Sequence, residues 1–206
     1  MVARVYLIRH GETQWSLTGQ HTGRTDVPLT AHGEQQARDL GKLFEGSTFS
    51  HVLVSPMQRA LRTCQLAGLA AGAHVEPNLS EWNYGDYEGL TPAEIHAQRP
   101  SWDVFRDGCP GGESPEQVLA RADRVLDEVR ELEGNVAVFS HGHFLRTLAA
   151  RWCDLPVRHG RQFALDTGSL SILGYEHRNP AAPAVLLWNG VSNETFELTP
   201  RPYHAE

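Results

Sequence analysis

Four short stretches hold the residue types that phosphoryl chemistry needs. They are Arg9-His10-Gly11-Glu12-Thr13, Ser55-Pro56-Met57-Gln58-Arg59, Glu81, and Ser140-His141-Gly142-His143. A phosphate monoester carries negative charge that must be neutralised, and an arginine fork meets phosphate oxygens in a bidentate way. A neutral imidazole is a competent nucleophile toward phosphorus. The guanidinium of Arg9 disfavours the charged form of an imidazole beside it, which keeps a lone pair available near pH 7. The departing alcohol needs a proton, which a nearby carboxyl can supply. A second histidine can donate to the oxygens over which charge spreads in the transition state.

Taken singly, each of these residues has a plainer reading. Arg59 alone reads as a solvated helix residue, and Glu81 as a cap or a surface charge. His32, His51, His74, His96, His159, His177 and His204 lack such a context and read as surface or satisfied polar residues. His141 and His143 stand at a spacing that places both side chains on one side of an extended segment, so they could also be a metal pair. The Asp-His that would complete a typical metallohydrolase does not follow them. Ser140 has no GxSxG around it. No GxxxxGK[ST] loop occurs, which argues against a nucleotide-binding phosphotransferase of that type.

What would bring the four stretches together is an alternation of strands and helices. Val5 to Ile8 is a short apolar run that reads as a buried strand. Ala37, Leu40 and Phe44 share one helical face. Val52-Leu53-Val54 is a second strand, and Pro56 opens a second helix carrying Met57, Ala60, Leu61 and Cys64 on one face. His74 to Pro77 is a third strand. Leu79 to Gly112 is rich in aromatics and glycine. Ser114-Pro115-Glu116-Gln117 has the form of a capping box and opens an amphipathic helix. Val136 to Phe139 is the next strand, Phe144 to Leu155 a helix, and Leu170–Tyr175 and Val185–Trp188 are late strands with room for an antiparallel edge. The pattern predicts a three-layer α/β/α sandwich with a mostly parallel central sheet. Its strands read as continuous apolar runs because both faces are covered. In such sheets ligands bind beyond the carboxyl ends of the strands, where all four stretches fall.

The remaining arithmetic sets boundaries. With 206 residues, 40% of them apolar, the chain is expected to form one domain spanning 1–206. It holds 18 Lys and Arg against 25 Asp and Glu, a net charge of −7, with no basic cluster, so nucleic acid and anionic membranes are not expected partners. The N-terminal apolar run is too short for a signal peptide and is cut off by Arg9-His10. No apolar run is long enough to span a bilayer. Cys64, Cys109 and Cys153 form no pair at a disulfide or zinc spacing, and a cytoplasmic location is expected.

At Arg9-His10-Gly11-Glu12-Thr13 the chain resembles the histidine phosphatase superfamily, which includes the cofactor-dependent phosphoglycerate mutases. The resemblance runs on through Thr22-Gly23, Pro28-Leu29-Thr30, Ser55-Pro56, Arg59-Ala60, Thr63, Leu79-Ser80-Glu81, Gly85, Glu88-Gly89 and Ser140-His141-Gly142, and covers residue 4 to about residue 175. It implies the phosphoglycerate mutase-like fold. It implies that His10 is the nucleophile that becomes phosphohistidine and that Arg9, Arg59 and His141 line the phosphate pocket. It implies that Glu81 is the proton donor and then the base for water, with no metal or organic cofactor. Thr22, Gly23, Trp82, Asn83 and Tyr84 would border the substrate, with Ser16 and Gly142 in the same binding set.

Within the family, mutases carry a lysine some way beyond the acid and an arginine pair further on. Here the position eleven past Glu81 is Pro92, and no adjacent Arg-Arg pair occurs. Ser16 stands where many mutases have Asn. The segments Glu81–Gly89, Arg106–Cys109 and Ser140–His143 are more similar to fungal sedoheptulose-bisphosphatase-type enzymes and to a bacterial acid phosphatase group. A shorter stretch between Arg161 and Leu165 favours the bacterial group. The expected activity is therefore hydrolysis of small phosphate monoesters, releasing inorganic phosphate. A phosphoglycerate mutase is the alternative, and a non-enzymatic phospho-ligand binding module a third reading. A homodimer stays open. Aromatic surroundings from Trp82 and Tyr84 are expected to favour a protonated Glu81 and an acidic rate optimum.

Overall fold

The computed structural model describes residues 2–191, so His204 and the end of the expected 1–206 domain lie outside the described residues. Six strands form one sheet: β1 (Val2–Arg9), β2 (His51–Val54), β3 (Ala73–Val75), β4 (Gly134–Ser140), β5 (Ser169–Tyr175) and β6 (Pro183–Val191). Their spatial order is β3-β2-β4-β1-β5-β6. The pairs β2–β3, β2–β4 and β1–β4 are parallel, whereas β5 runs antiparallel to β1, and β6 to β5. Both late strands are thus antiparallel.

Successive side chains on a strand face opposite ways, and this explains the continuous apolar runs. Val5 and Leu7 of β1, with Val136 and Val138 of β4, face one helical layer. That layer contains α6 (Pro115–Glu131) and α7 (Gly142–Trp152), which contribute Val118, Val125, Leu145 and Trp152 among others. Tyr6 and Ile8, with Ala137 and Phe139, face the other layer. There α2 (Ala31–Leu43) and α3 (Gln58–Leu66) supply Leu40, Ala60 and Cys64. The result is the expected three-layer sandwich. No helix among the described residues is long and apolar enough to cross a membrane.

Element ends differ from the sequence reading in ways that matter for the site. The helix expected to open at Pro56 begins at Gln58, because Ser55 N–H donates to Phe139 O and Met57 keeps an extended backbone as the N-cap. The helix expected from Phe144 begins at Gly142, which adds two backbone N–H groups to the site. The third strand stops at Val75, and Glu76 caps the turn that follows. Within the aromatic and glycine-rich segment, α4 (Pro92–Gln98) and α5 (Val104–Asp107) are helical. The Thr91 capping box starts α4, and the Ser114 box starts α6. A short helix, α1 (Gln14–Thr18), follows the first strand and is capped by Thr13.

Candidate active site

The ends of β1 and β4 are neighbours, and His10 N–H donates to Ser140 O at 3.1 Å. His10 Nδ1 lies 2.7 Å from Gly11 O, an acceptor only, so Nδ1 carries the proton and the lone pair is on Nε2. The ring is buried. Burial, then the charges of Arg59 and Arg9, hold it well below the ordinary histidine range, so it is neutral. The backbone at this turn is tightly fixed. A Cβ on Gly11 would sit 2.2 Å from Gly33 O, and Gly11 N–H donates to Thr63 Oγ1.

Arg9 leaves β1 and opens onto the same cleft. One of its Nη groups donates to Leu165 O, while its Nε–H is buried with no partner. The guanidinium lies against Gly142, where a Cβ would be 3.3 Å from Arg9 Cζ. Glycine at the first position of α7 is what lets this cation approach the helix so closely.

Glu81 meets α7 at its N-terminus. Its Oε1 accepts from Trp82 N–H at 2.8 Å and from Phe144 N–H at 2.9 Å, and its Oε2 accepts from His143 N–H at 3.0 Å. A carboxylate suits a helix N-terminus, whose first N–H groups have no partner inside the helix. Ser140 Oγ donates to Leu79 O, and Arg121 donates to the carbonyls of Asn78, Ser80 and Glu81. The loop bearing the acid is therefore pinned from two sides.

His141 and Arg59 sit together beneath the nucleophile, with the His10 and His141 ring centroids 5.1 Å apart. Arg59 Nε–H donates to His141 Nδ1 at 3.1 Å, so the His141 proton is on Nε2, where Ser55 Oγ lies at 2.7 Å. The other Arg59 donors meet carbonyls: Nη1 that of Thr25, and Nη2 those of Thr22 and Gly23. That loop is held in turn by Glu88, whose Oε1 accepts from Gly23 N–H and Thr25 N–H.

A cleft of about 250 Å³ collects Arg9, His10, Glu81 and Gly142 from the expected set, with Ser16, Thr22 and Tyr84 on its walls. Glu81 is the one acidic residue lining it, against two arginines, so the cleft is cationic within an acidic chain. Five expected members lie elsewhere, among them His141, whose ring packs against that of His10 but does not line the cleft. Arg59 is fully buried below the cleft. Trp82 belongs to the core, because its indole N–H finds Glu113 O and its ring packs edge-on against Phe105. Gly23 and Asn83 border a second depression that shares only Glu81 with the first. The aromatic surroundings expected for the Glu81 carboxyl are corrected accordingly: what it meets are three backbone N–H groups.

Among the wall residues that sequence reasoning missed or left without a role are His21, His143 and Arg146. Burial keeps Tyr84 protonated, and its hydroxyl is hydrogen-bonded to His143 Nδ1 at 2.5 Å. His143 is itself held neutral by burial, and its Nε2 is the ring nitrogen left to the cleft. His21 stacks on Tyr84, and burial lowers it to about 4. A usable signal for Arg146 was its i, i+3 relation to His143 within one helix. As for a metal, both nitrogens of His141 and one of His143 are engaged. Among the described residues no group of three or more His, Cys, Asp or Glu side chains is arranged to hold one.

Comparison with known proteins adds the following. The sequence profile described as "Histidine phosphatase superfamily (branch 1)" matches residues 5–189. An acid phosphatase of Mycobacterium tuberculosis is 44% identical over 178 residues, covering 84% of this chain and 87% of the relative. A sedoheptulose 1,7-bisphosphatase of Saccharomyces cerevisiae is 31% identical over 251 residues, covering 91% and 93%. A solved structure of an open-reading-frame product from Mycobacterium tuberculosis superposes with a TM-score of 0.85 at 40% identity, covering 92% of this chain and 98% of that one.

Proposed function

The chain belongs to the histidine phosphatase superfamily and is a phosphatase, and we propose that it hydrolyses small phosphate monoesters through phosphorylation of His10, without a metal. In the first step His10 Nε2 attacks phosphorus and forms an N–P bond while the ester P–O bond breaks. The alcohol oxygen leaves with the proton of a protonated Glu81. The three N–H groups around Glu81 stabilise the carboxylate that this transfer produces. In the second step water attacks phosphorus, Glu81 takes its proton, and the N–P bond breaks to give inorganic phosphate. Arg9 neutralises the phosphoryl oxygens, and Arg59, bonded to His141, holds that ring against His10.

The observation that carries this reading is the pairing of a neutral His10, its lone pair on Nε2, with a buried and unpartnered Arg9 donor on one cleft. A buried donor without an acceptor is costly, and a phosphate oxygen relieves it. We take residues 1–206 as one catalytic domain working in the cytoplasm.

The test is an acid- and base-quench experiment with an aryl phosphate labelled in its phosphoryl group. The label should appear on the protein as an acid-labile, base-stable adduct, be absent from His10→Ala, and persist with a chelator present. Undiminished phosphate release by His10→Ala, or release abolished by the chelator, would overturn the reading.

A further inference from the structure

The loop that carries Glu81 rests on an ion pair that takes no part in the steps above. Arg121 lies on α6, and Glu113 just before that helix. They meet in a two-bond fork: Nε–H donates to Oε1 and Nη2 to Oε2, both at 3.0 Å. The two side chains are 11% and 19% exposed, so water and salt screen them poorly. Neither lines the cleft that holds His10. Both line the second depression, which shares Glu81 with it. The pair therefore stands behind the acid's loop rather than against the ester.

Every remaining donor of Arg121 serves this loop. Nη1 donates to Asn78 O at 2.6 Å and to Ser80 O at 2.7 Å, and Nη2 to Glu81 O at 3.3 Å. Glu113 holds the other flank. Its Oε2 accepts from Asn83 N–H at 2.8 Å and its backbone O from the Trp82 indole at 3.0 Å, while its N–H donates to Asn83 O at 2.8 Å. Ser80 on one side of the acid, and Trp82 and Asn83 on the other, are thus fixed. The backbones meet as closely as they can, since a Cβ on Gly112 would sit 2.2 Å from Asn83 O. The guanidinium also covers the Phe144 ring, 4.3 Å from its centroid. Phe144 is the residue whose N–H meets Glu81 Oε1 at 2.9 Å. One cation therefore touches both the main chain that carries the acid and a residue that receives its carboxyl group.

A pair of this kind adds little net stability, because desolvation offsets the attraction. What it supplies is direction. A general acid must stand within hydrogen-bond reach of the leaving oxygen, and a misplacement of about 1 Å can cost about 100-fold in rate. We propose, on the proton-donor reading of Glu81 above, that Arg121 and Glu113 are positioning residues that aim this acid at the leaving alcohol. The pair then matters most for esters whose alcohol needs a proton to depart.

The test uses two aryl esters of different leaving ability. Phenoxide leaves poorly and needs the acid, whereas dinitrophenoxide leaves without it. The quantity compared is kcat/KM, which reports only the steps up to departure of the alcohol. Arg121→Met should lower it about 100-fold for phenyl phosphate and less than about threefold for dinitrophenyl phosphate. Glu113→Gln keeps the side-chain shape and removes the charge. It should give the same selective pattern at about tenfold, and it serves if Arg121→Met does not fold. Glu81→Gln is the reference and should show the pattern most strongly. Equal losses on both esters in the Arg121 and Glu113 variants, or no loss on phenyl phosphate, would refute the positioning role. With the selective pattern intact in Glu81→Gln, that result leaves the acid reading standing. An equal loss on both esters in Glu81→Gln would instead overturn the acid itself, and the positioning role with it.

Discussion

Arg59 donates its Nε–H to His141 Nδ1 at 3.1 Å, and through this bond the buried arginine fixes the imidazole that packs against His10. The bond fixes the tautomer of His141, and the remaining Arg59 donors hold the 22–25 loop. Arg59→Lys keeps a charge but cannot serve four acceptors. It should lower kcat/KM by about 100-fold or more and stability by about 3 kcal/mol. Nitrogen NMR of His141 should show loss of the single tautomer, a change that general destabilisation does not produce. Retention of full activity would overturn this role.

The acid limb of the rate profile should lie well below pH 6.5. The lone pair of His10 is lost only on protonation, and burial with Arg59 and Arg9 resists that charge. The folded value is lowered, so the reactive neutral form persists as pH falls through 6.5. Arg9→Gln removes one opposing charge, so its residual activity should fall off at a higher pH than that of the unmodified enzyme. A limb that stays put would show that another group sets it.

Folding stability should decline as pH drops from about 6.5 toward 4. Unfolded His21 takes up a proton near 6.5, whereas in the fold burial holds it to about 4. The unfolded state binds more protons in that window, so acidification favours it. This one residue accounts for about 3 kcal/mol over the full window. His21→Phe preserves a ring against Tyr84 and should lessen the dependence by that share, read from melting temperatures at pH 7 and pH 4.5, the rest coming from His10, His141 and His143. Equal slopes would contradict the assignment.

Glu88 touches neither nucleophile nor acid, yet it should matter for rate. Glu88→Ala leaves Gly23 N–H and Thr25 N–H without their acceptor and loosens the carbonyls that hold Arg59. A fall in kcat of about tenfold with little change in KM is expected, together with a stability loss of about 2 kcal/mol. A KM effect alone would assign Glu88 to ligand binding instead.

Two glycines should respond differently to alanine. At Gly11 the new Cβ would lie 2.2 Å from the backbone oxygen of Gly33, which cannot yield, so Gly11→Ala should lose about 3 kcal/mol or more. At Gly142 the Cβ would meet Arg9 Cζ at 3.3 Å, and the side chain can shift. Gly142→Ala should keep a near-normal melting temperature while kcat/KM drops about tenfold. Matching losses in stability would refute the distinction.

The sequence allowed the sandwich and the meeting of Arg9, His10, Glu81 and His141 to be read in advance. Each follows an apolar strand run within a few residues, and a parallel sheet sends those ends to one edge. Depth was not legible. Arg59 looks like a cleft cation because arginines suit phosphate, but helix α3 starts two residues later than expected and the side chain finds carbonyls below the floor. Trp82 adjoins the acid in sequence, yet a buried indole needs an acceptor, and Glu113 O lies in the core. His21 reaches the cleft by pairing with the 82–113 segment, its N–H donating to Leu90 O. The backbone of that segment turns on Gly85, Gly89, Gly108 and Gly111 in left-handed conformations, which no periodicity records.

The position of β1 has a consequence for the order in which the molecule is made. The strand that delivers His10 is the first to be synthesised, but its sheet neighbours are β4 and β5, with Val5 paired to Val136 and Leu173. A ribosome must therefore extend the chain past Ser140 before β1 has any partner, and past Tyr175 before it has both. Such distant pairings slow folding and leave an apolar strand exposed meanwhile. The nucleophile and the arginine before it are the earliest parts of the site to exist as sequence and among the last to exist as structure. A nascent chain released before Gly134 carries that strand with neither neighbour, as a substrate for chaperones rather than as an enzyme.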